Sequence, residues 1–205
     1  MISEADCLNE DIPPCLPTQV EVLGISDHPN GGSDCDLVLF KRNRIYRHQL
    51  MRLNYTTYDV RRAQDGINFR TSHCNIMVLS EDSNDTETTH PFLYGRVLGI
   101  YHVNVVYNGP GMVNYQPRRM EFLWVRWFQY HSDKPLAGWD SCRLDQLRFP
   151  SVASESAFGF VDPVDVVRGC HIIPRFARGQ SHPDGKGLSK VAQDSGDWFS
   201  YYVGR

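Results

Sequence analysis

YGRVLGIYHVNVVYNGPGMVNYQPRRMEFLWVRWFQY, residues 94–130, is the stretch that decides how this chain folds. Along residues 94–107, Val97, Tyr101, Val103, Val105 and Tyr107 fall on one face and Arg96, His102 and Asn104 on the other. That is the period of two expected of a half-buried strand. A loop containing Gly-Pro-Gly separates it from residues 120–130, where Met120, Phe122, Trp124, Phe128 and Tyr130 alternate with Leu123, Val125 and Trp127. Both faces of the second run are apolar at its centre, which predicts a central strand of a closed or nearly closed sheet.

Working outward, residues 37–40 and 45–58 flank a Lys-Arg-Asn-Arg tetrapeptide and are rich in β-branched and aromatic residues, the pattern of a hairpin with a basic turn. Thr57 is placed to cap a short helix over residues 58–64. Residues 75–80, 143–149, 158–161 and 171–173 are further short strand candidates, and residues 81–89 form an acidic surface loop. Asp162-Pro163 is an N-cap followed by proline at the first helical position, so residues 163–168 are expected to make one helical turn ended by Gly169. Many short strands with no alternating helices predict a mainly β fold, a small SH3-like or BAH-like partly open barrel with short helical turns.

The chain has 205 residues, of which 41% are hydrophobic and 12% aromatic, enough for one packed core. Residues 1–34, rich in Pro, Asp, Glu, Gly and Asn, read as a disordered acidic leader with at most one short strand at residues 20–25. Residues 35–176 read as a single β-rich domain and residues 177–205 as a loosely packed tail. The start has no basic segment leading into an apolar run, and no stretch of about 18 apolar residues occurs, so the expected location is nuclear or cytoplasmic, without secretion or membrane insertion. Six cysteines, at 7, 15, 35, 74, 142 and 170, include no Cys-x-x-Cys pair, which predicts free thiols.

Catalytic patterns are sparse. The Cys and His of the adjacent pairs His73-Cys74 and Cys170-His171 point to opposite faces of a strand, so each pair offers one ligand to a common metal site, and no metal or other cofactor is expected. Residues 179–187 have five residues between glycines and Gly after Lys186, which departs from a phosphate loop in both respects; they read as an exposed Gly-rich loop. Asp162 and Asp165, with Asp140 and Asp145 upstream, are the acids a metal-dependent nuclease would need, but capping and solvation account for them equally well. The expectation is a protein that is not an enzyme.

Charge makes the better functional case. The net charge is −3, yet residues 1–40 hold eight acids and no Lys or Arg, whereas residues 41–70 hold eight bases against Asp59 and Asp65. Lys41, Arg42, Arg44, Arg47, Arg52, Arg61, Arg62 and Arg70, with Arg118 and Arg119 in the long loop, are candidates for phosphate contacts, and Tyr46, Tyr55 and Tyr115 for stacking on bases. Tyr94, Tyr101, Trp124 and Trp127, with Trp139, are candidates for an aromatic cage around a methylated lysine.

Several strings taken together carry a family resemblance: Asn54-Tyr-Thr-Thr-Tyr-Asp-Val-Arg-Arg62, His102-Val-Asn-Val105, Pro117-Arg-Arg-Met-Glu-Phe-Leu-Trp-Val-Arg-Trp127, Phe158-Gly-Phe-Val-Asp-Pro163 and Arg168-Gly-Cys-His-Ile-Ile-Pro174. Over residues 36–203 the chain resembles the C-terminal segment of large transposon-related proteins of mushroom-forming fungi, whose upstream parts look like transposases of the Kyakuja-Dileera-Zisupton kind. The resemblance implies that nuclease chemistry would belong to the upstream region. Such proteins usually continue beyond Tyr-Tyr-Val, so the ending at Val203-Gly-Arg205 implies a truncated copy. The expected function is an accessory interaction module of a transposon-derived protein, touching nucleic acid or chromatin, or a protein partner; the alternatives are a remnant of a carboxylate-dependent nuclease and a degenerate fragment without activity.

Overall fold

The structure is a computed structural model and describes residues 37–56, 62–80, 90–131 and 144–204. The leader, Arg61, Trp139, Asp140 and the acidic loop 81–89 lie outside the described residues. The fold is mainly β, as expected: twelve strands in antiparallel sheets, with short 3-10 turns and no α-helix among the described residues. The sheets stay open and do not close into a barrel.

The first sheet is built around β5 (Phe92–Tyr107), a 16-residue strand. On one edge β6 (Arg118–Trp127) pairs with it and carries β9 (Phe158–Val161) beyond. The other edge is shared by two strands, β4 (Asn75–Leu79) against residues 92–96 and β1 (Val38–His48) against residues 100–107. Outside β4 lies β10 (Val166–Gly169). The register between β5 and β6 shifts between Val97 and Gly99. That bulge breaks the alternation expected for β5: Val97 and Ile100 share the core face, and Tyr101, Val103 and Val105 lie on the other.

The hairpin expected around the basic tetrapeptide takes a different form. Phe40 opposes Val105 and Ile45 opposes Val103, so both supposed arms belong to one strand, and residues 41–44 are extruded from it as a bulge. Arg42 (φ 60°) and Asn43 (φ 53°) adopt the left-handed region there. The real hairpin follows, β2 (Met51–Thr56) with β3 (Arg62–Ile67), so residues 62–64 are strand where a helix was expected. Extended pairing wins because Met51, Leu53 and Ile67 reach the core only with a strand period.

Met51 and Ile67 of the hairpin pack with Ile76, Val78, Val97, Ile100, Leu123 and Val125, which closes one face of the first sheet. On the opposite face a second sheet, β7 (Gln129–Tyr130), β8 (Gln146–Arg148), β12 (Tyr201–Gly204) and β11 (His171–Pro174), covers the half around Tyr94. Tyr94, Phe128, Leu147, Tyr201 and Val203 are buried between the layers. Residues 177–204 therefore differ from the loose tail expected: β12 sits between β8 and β11, and Ala192, Asp194, Asp197 and Ser200 are all buried. Asp162 accepts from the Val164 N–H at 2.9 Å and caps a 3-10 turn at Pro163–Asp165, shorter than the helical turn expected because β10 begins at Val166.

Candidate functional site

Cross-strand partners in an antiparallel sheet point to the same face, so the register specifies what each face displays. Beyond the bulge, the face opposite the hairpin receives Gly99, Tyr101, Val103 and Val105 from β5, Arg118, Met120, Phe122 and Trp124 from β6, and Phe158 and Phe160 from β9. The Tyr101 and Phe122 rings stack at 5.4 Å, Phe122 meets Phe160 edge-on at 5.6 Å, and Trp124 lies 6.1 Å from Phe158. All five rings are half-buried and none belongs to either core. The sheet thus carries a diagonal row of aromatic rings across three strands. Gly99 makes room for it, since a Cβ there would strike the Tyr101 ring.

Cations gather at one end of this row. Arg118 opposes Val105, and residues 41–44 bulge out beside Val105 on the far edge of β5. Two strand spacings, about 10 Å, separate β1 from β6. Lys41, Arg42, Arg44 and Arg118 are exposed, and none has an acidic partner among the described residues. Arg119 points to the other face, where Glu121 binds it at 3.0 Å. Arg47 is half-buried, its guanidinium 4.5 Å above Phe69 and 6.0 Å from the Tyr101 ring, so it backs the aromatic row from the edge.

The remaining sequence candidates are dispersed. Arg52 and Arg62 project outward from the β2–β3 hairpin, and Arg70 lies over Phe69 at 5.6 Å. Tyr46 stacks on buried His102 at 4.6 Å, Tyr55 supports the Arg168 guanidinium at 5.0 Å, and Tyr115 is exposed in the loop. The four cage candidates do not converge: Tyr101 and Trp124 share the open face, whereas Tyr94 is sealed under the second sheet and Trp127 packs on the hairpin core. Phe122, Phe158 and Phe160 were not distinguishable from core residues in the sequence. The usable signal is the run Arg118, Met120, Phe122 and Trp124 at period two.

The covered half of the same face is organised by charge. Asp197 accepts from Arg96 at 2.8 Å and from Arg126, and Phe149 lies against both guanidiniums, at 4.4 Å and 4.0 Å. Burial alone would lower the Arg96 pKa, but neighbouring Tyr201 and Asp197 hold it above its ordinary value. Burial, followed by the Asp197 charge, pushes the Tyr201 phenol up. Asp194 accepts from the backbone N–H groups of Leu188 and Ser189 at 2.7 Å and 3.0 Å. Burial opposes its ionisation, yet those bonds outweigh it and keep the carboxyl below the usual range. Nearby, His90 bridges Asp145 at 3.0 Å and Tyr130 at 2.5 Å, tying residue 90 to the second sheet.

Cys74 and Cys170 are free thiols. Burial raises both, Cys170 to about 12 with a further contribution from Cys74. Cys170 is half-buried and its neighbour His171 is exposed. Among the described residues no three His, Cys, Asp or Glu side chains group as metal ligands, and no helix is long and apolar enough to cross a membrane. Asp162 serves as a cap and Asp165 is exposed. No protein-family model, curated protein or solved structure matches the chain.

Proposed function

We propose that the protein binds single-stranded nucleic acid on the open half of its first sheet. Bases stack on Tyr101, Phe122, Phe160, Trp124 and Phe158, and the phosphate backbone runs toward Arg118 and the bulge at residues 41–44. The observation that carries this reading is the union of an aromatic row outside both cores with four exposed cations at its end that have no acidic partner among the described residues. Stacking accepts any base, because every base has a π-face, and cations follow the backbone without reading sequence. A bulge on an edge strand suits the second task, since its side chains leave the plane of the sheet. Such a module would serve as the accessory part of a transposon-derived protein, the role suggested by the sequence motifs.

The test is a salt titration of binding to single-stranded DNA, duplex DNA and RNA, with a Lys41→Glu/Arg44→Glu/Arg118→Glu variant alongside. Four phosphate contacts predict a slope of about −3 for log affinity against log salt on single strands. Preference for single strands, with binding abolished in the folded variant, supports the reading. A folded protein that ignores all three polymers at low salt, or binds them equally well after charge reversal, sinks it.

A further inference from the structure

A groove of about 430 Å³ opens where the end of β8 meets the turns that precede β12, on a different part of the molecule from the aromatic row. Three arginines line it, Arg126, Arg148 and Arg178, together with His182. Its two carboxylates are already engaged. Asp197 is shared between Arg96 and Arg126, and Asp194 takes the backbone N–H groups of Leu188 and Ser189. Arg148 and Arg178 are exposed and have no acidic partner among the described residues. The lining therefore offers net positive charge that nothing within the described protein neutralises.

Two further features separate this groove from a solvated basic surface. Arg126 is 3% exposed, and its Nε–H has no acceptor among the described residues, so a buried cationic donor borders the cavity with hydrogen-bonding capacity unspent. Large rings stand at the same opening: Phe199 is 56% exposed, and Trp198 is held edge-on by Phe176 at 5.0 Å. This opening sets an exposed phenylalanine beside arginines that have no acidic partner among the described residues. It suits a ligand with an anionic end and a flat apolar end.

We propose that this groove is a binding site for a small aromatic phosphate monoester, such as a nucleoside monophosphate. The phosphate oxygens accept from the forked guanidiniums of Arg148 and Arg178, with His182 beside them, and the ring rests on Phe199 and Trp198. Planar arginine forks match the tetrahedral oxygens of a terminal phosphate, which also carries the charge the lining lacks. The site is independent of the nucleic-acid face and stands whether or not that face binds a polymer.

The experiment is calorimetric titration of the full chain with adenosine monophosphate, adenosine and inorganic phosphate, repeated on Arg148→Gln/Arg178→Gln, on Phe199→Ala and on Arg52→Gln. Arg148, Arg178 and Phe199 are exposed, so these variants keep the fold, which circular dichroism verifies. Adenosine monophosphate is expected to bind more tightly than phosphate, and adenosine not at all. The double arginine variant should weaken it by at least about tenfold. Phe199→Ala should bring its affinity down toward that of phosphate, and Arg52→Gln, on the hairpin at the opposite face of the first sheet, should leave it unchanged. Absence of binding at millimolar ligand, equal affinity in the double arginine variant, or loss in Arg52→Gln would each overturn the assignment.

Discussion

Arg126 and Phe122 stand four residues apart on β6, on the same face of the same sheet, and their surroundings are opposite. Arg126 is 3% exposed and tied to Asp197 under the second sheet, whereas Phe122 is half-exposed in a row of rings outside either core. The difference shows how one continuous strand serves two purposes. Where a second layer covers it, its polar groups are paired internally and contribute to stability. Where the layer ends, the same strand carries half-buried rings, with exposed cations at the end of the row. The arginine would be costly to bury unpaired.

The covered half is where substitution should cost most. Asp197→Ala removes the carboxylate that, among the described residues, both Arg96 and Arg126 contact, leaving two guanidiniums without that counter-charge. The expected loss is about 3–5 kcal/mol in urea unfolding, and an unchanged midpoint would show that solvent reaches the pair. Asp194→Ala should cost about 2–3 kcal/mol, through two hydrogen bonds to a charged acceptor. The Asp194 carboxyl is depressed in the folded chain, so its contribution is fully present above the unfolded value of about 3.9 and is lost as pH falls through the lower folded value. The stability gap between wild type and Asp194→Ala should therefore close in strong acid. A gap that persists there would assign the effect to packing.

On the open half, the expected effects are smaller on stability and larger on binding. Phe122→Leu keeps apolar volume but removes a ring that contacts both Tyr101 and Phe160. It should weaken single-strand binding by about 1–2 kcal/mol, within the range for loss of one stacking side chain, while shifting the unfolding midpoint little. Equal loss of binding and stability would mean that the row is an extension of the core and erase the contrast with Arg126.

The strands themselves were legible because period two survives in short segments. Residues 158–161 and 171–173 could be read from apolar content and flanking Gly and Pro, and they appear as β9 and β11. What was hidden depends on more than period. The register shift after Val97 reverses the faces of Tyr101 and Ile100, and an inserted residue leaves no trace in composition. Whether Phe122 and Phe160 are covered depends on where β12 docks, which is set by long-range contacts of residues 194–203. The basic tetrapeptide resembled a turn because extruded bulges and hairpin turns favour the same residues, and only the pairing of both flanks with β5 separates them.

That bulge also supplies the finest division between stability and function. Arg42 and Asn43 hold left-handed backbone angles, which cost a residue with a Cβ roughly 1 kcal/mol relative to glycine. At Arg42 the strain is tolerated where an exposed cation projects from an edge strand beside the aromatic row. Arg42→Gly should release strain and raise stability by up to about 1 kcal/mol, offset in part by the greater entropy of glycine in the unfolded chain. The same change should flatten the salt dependence of single-strand binding by about 0.7, the contribution of one phosphate contact. Opposite signs from one substitution would mean that the strained conformation is kept for the charge it presents. A more stable variant with an unchanged salt slope would remove Arg42 from the interface while leaving Lys41, Arg44 and Arg118 to carry it.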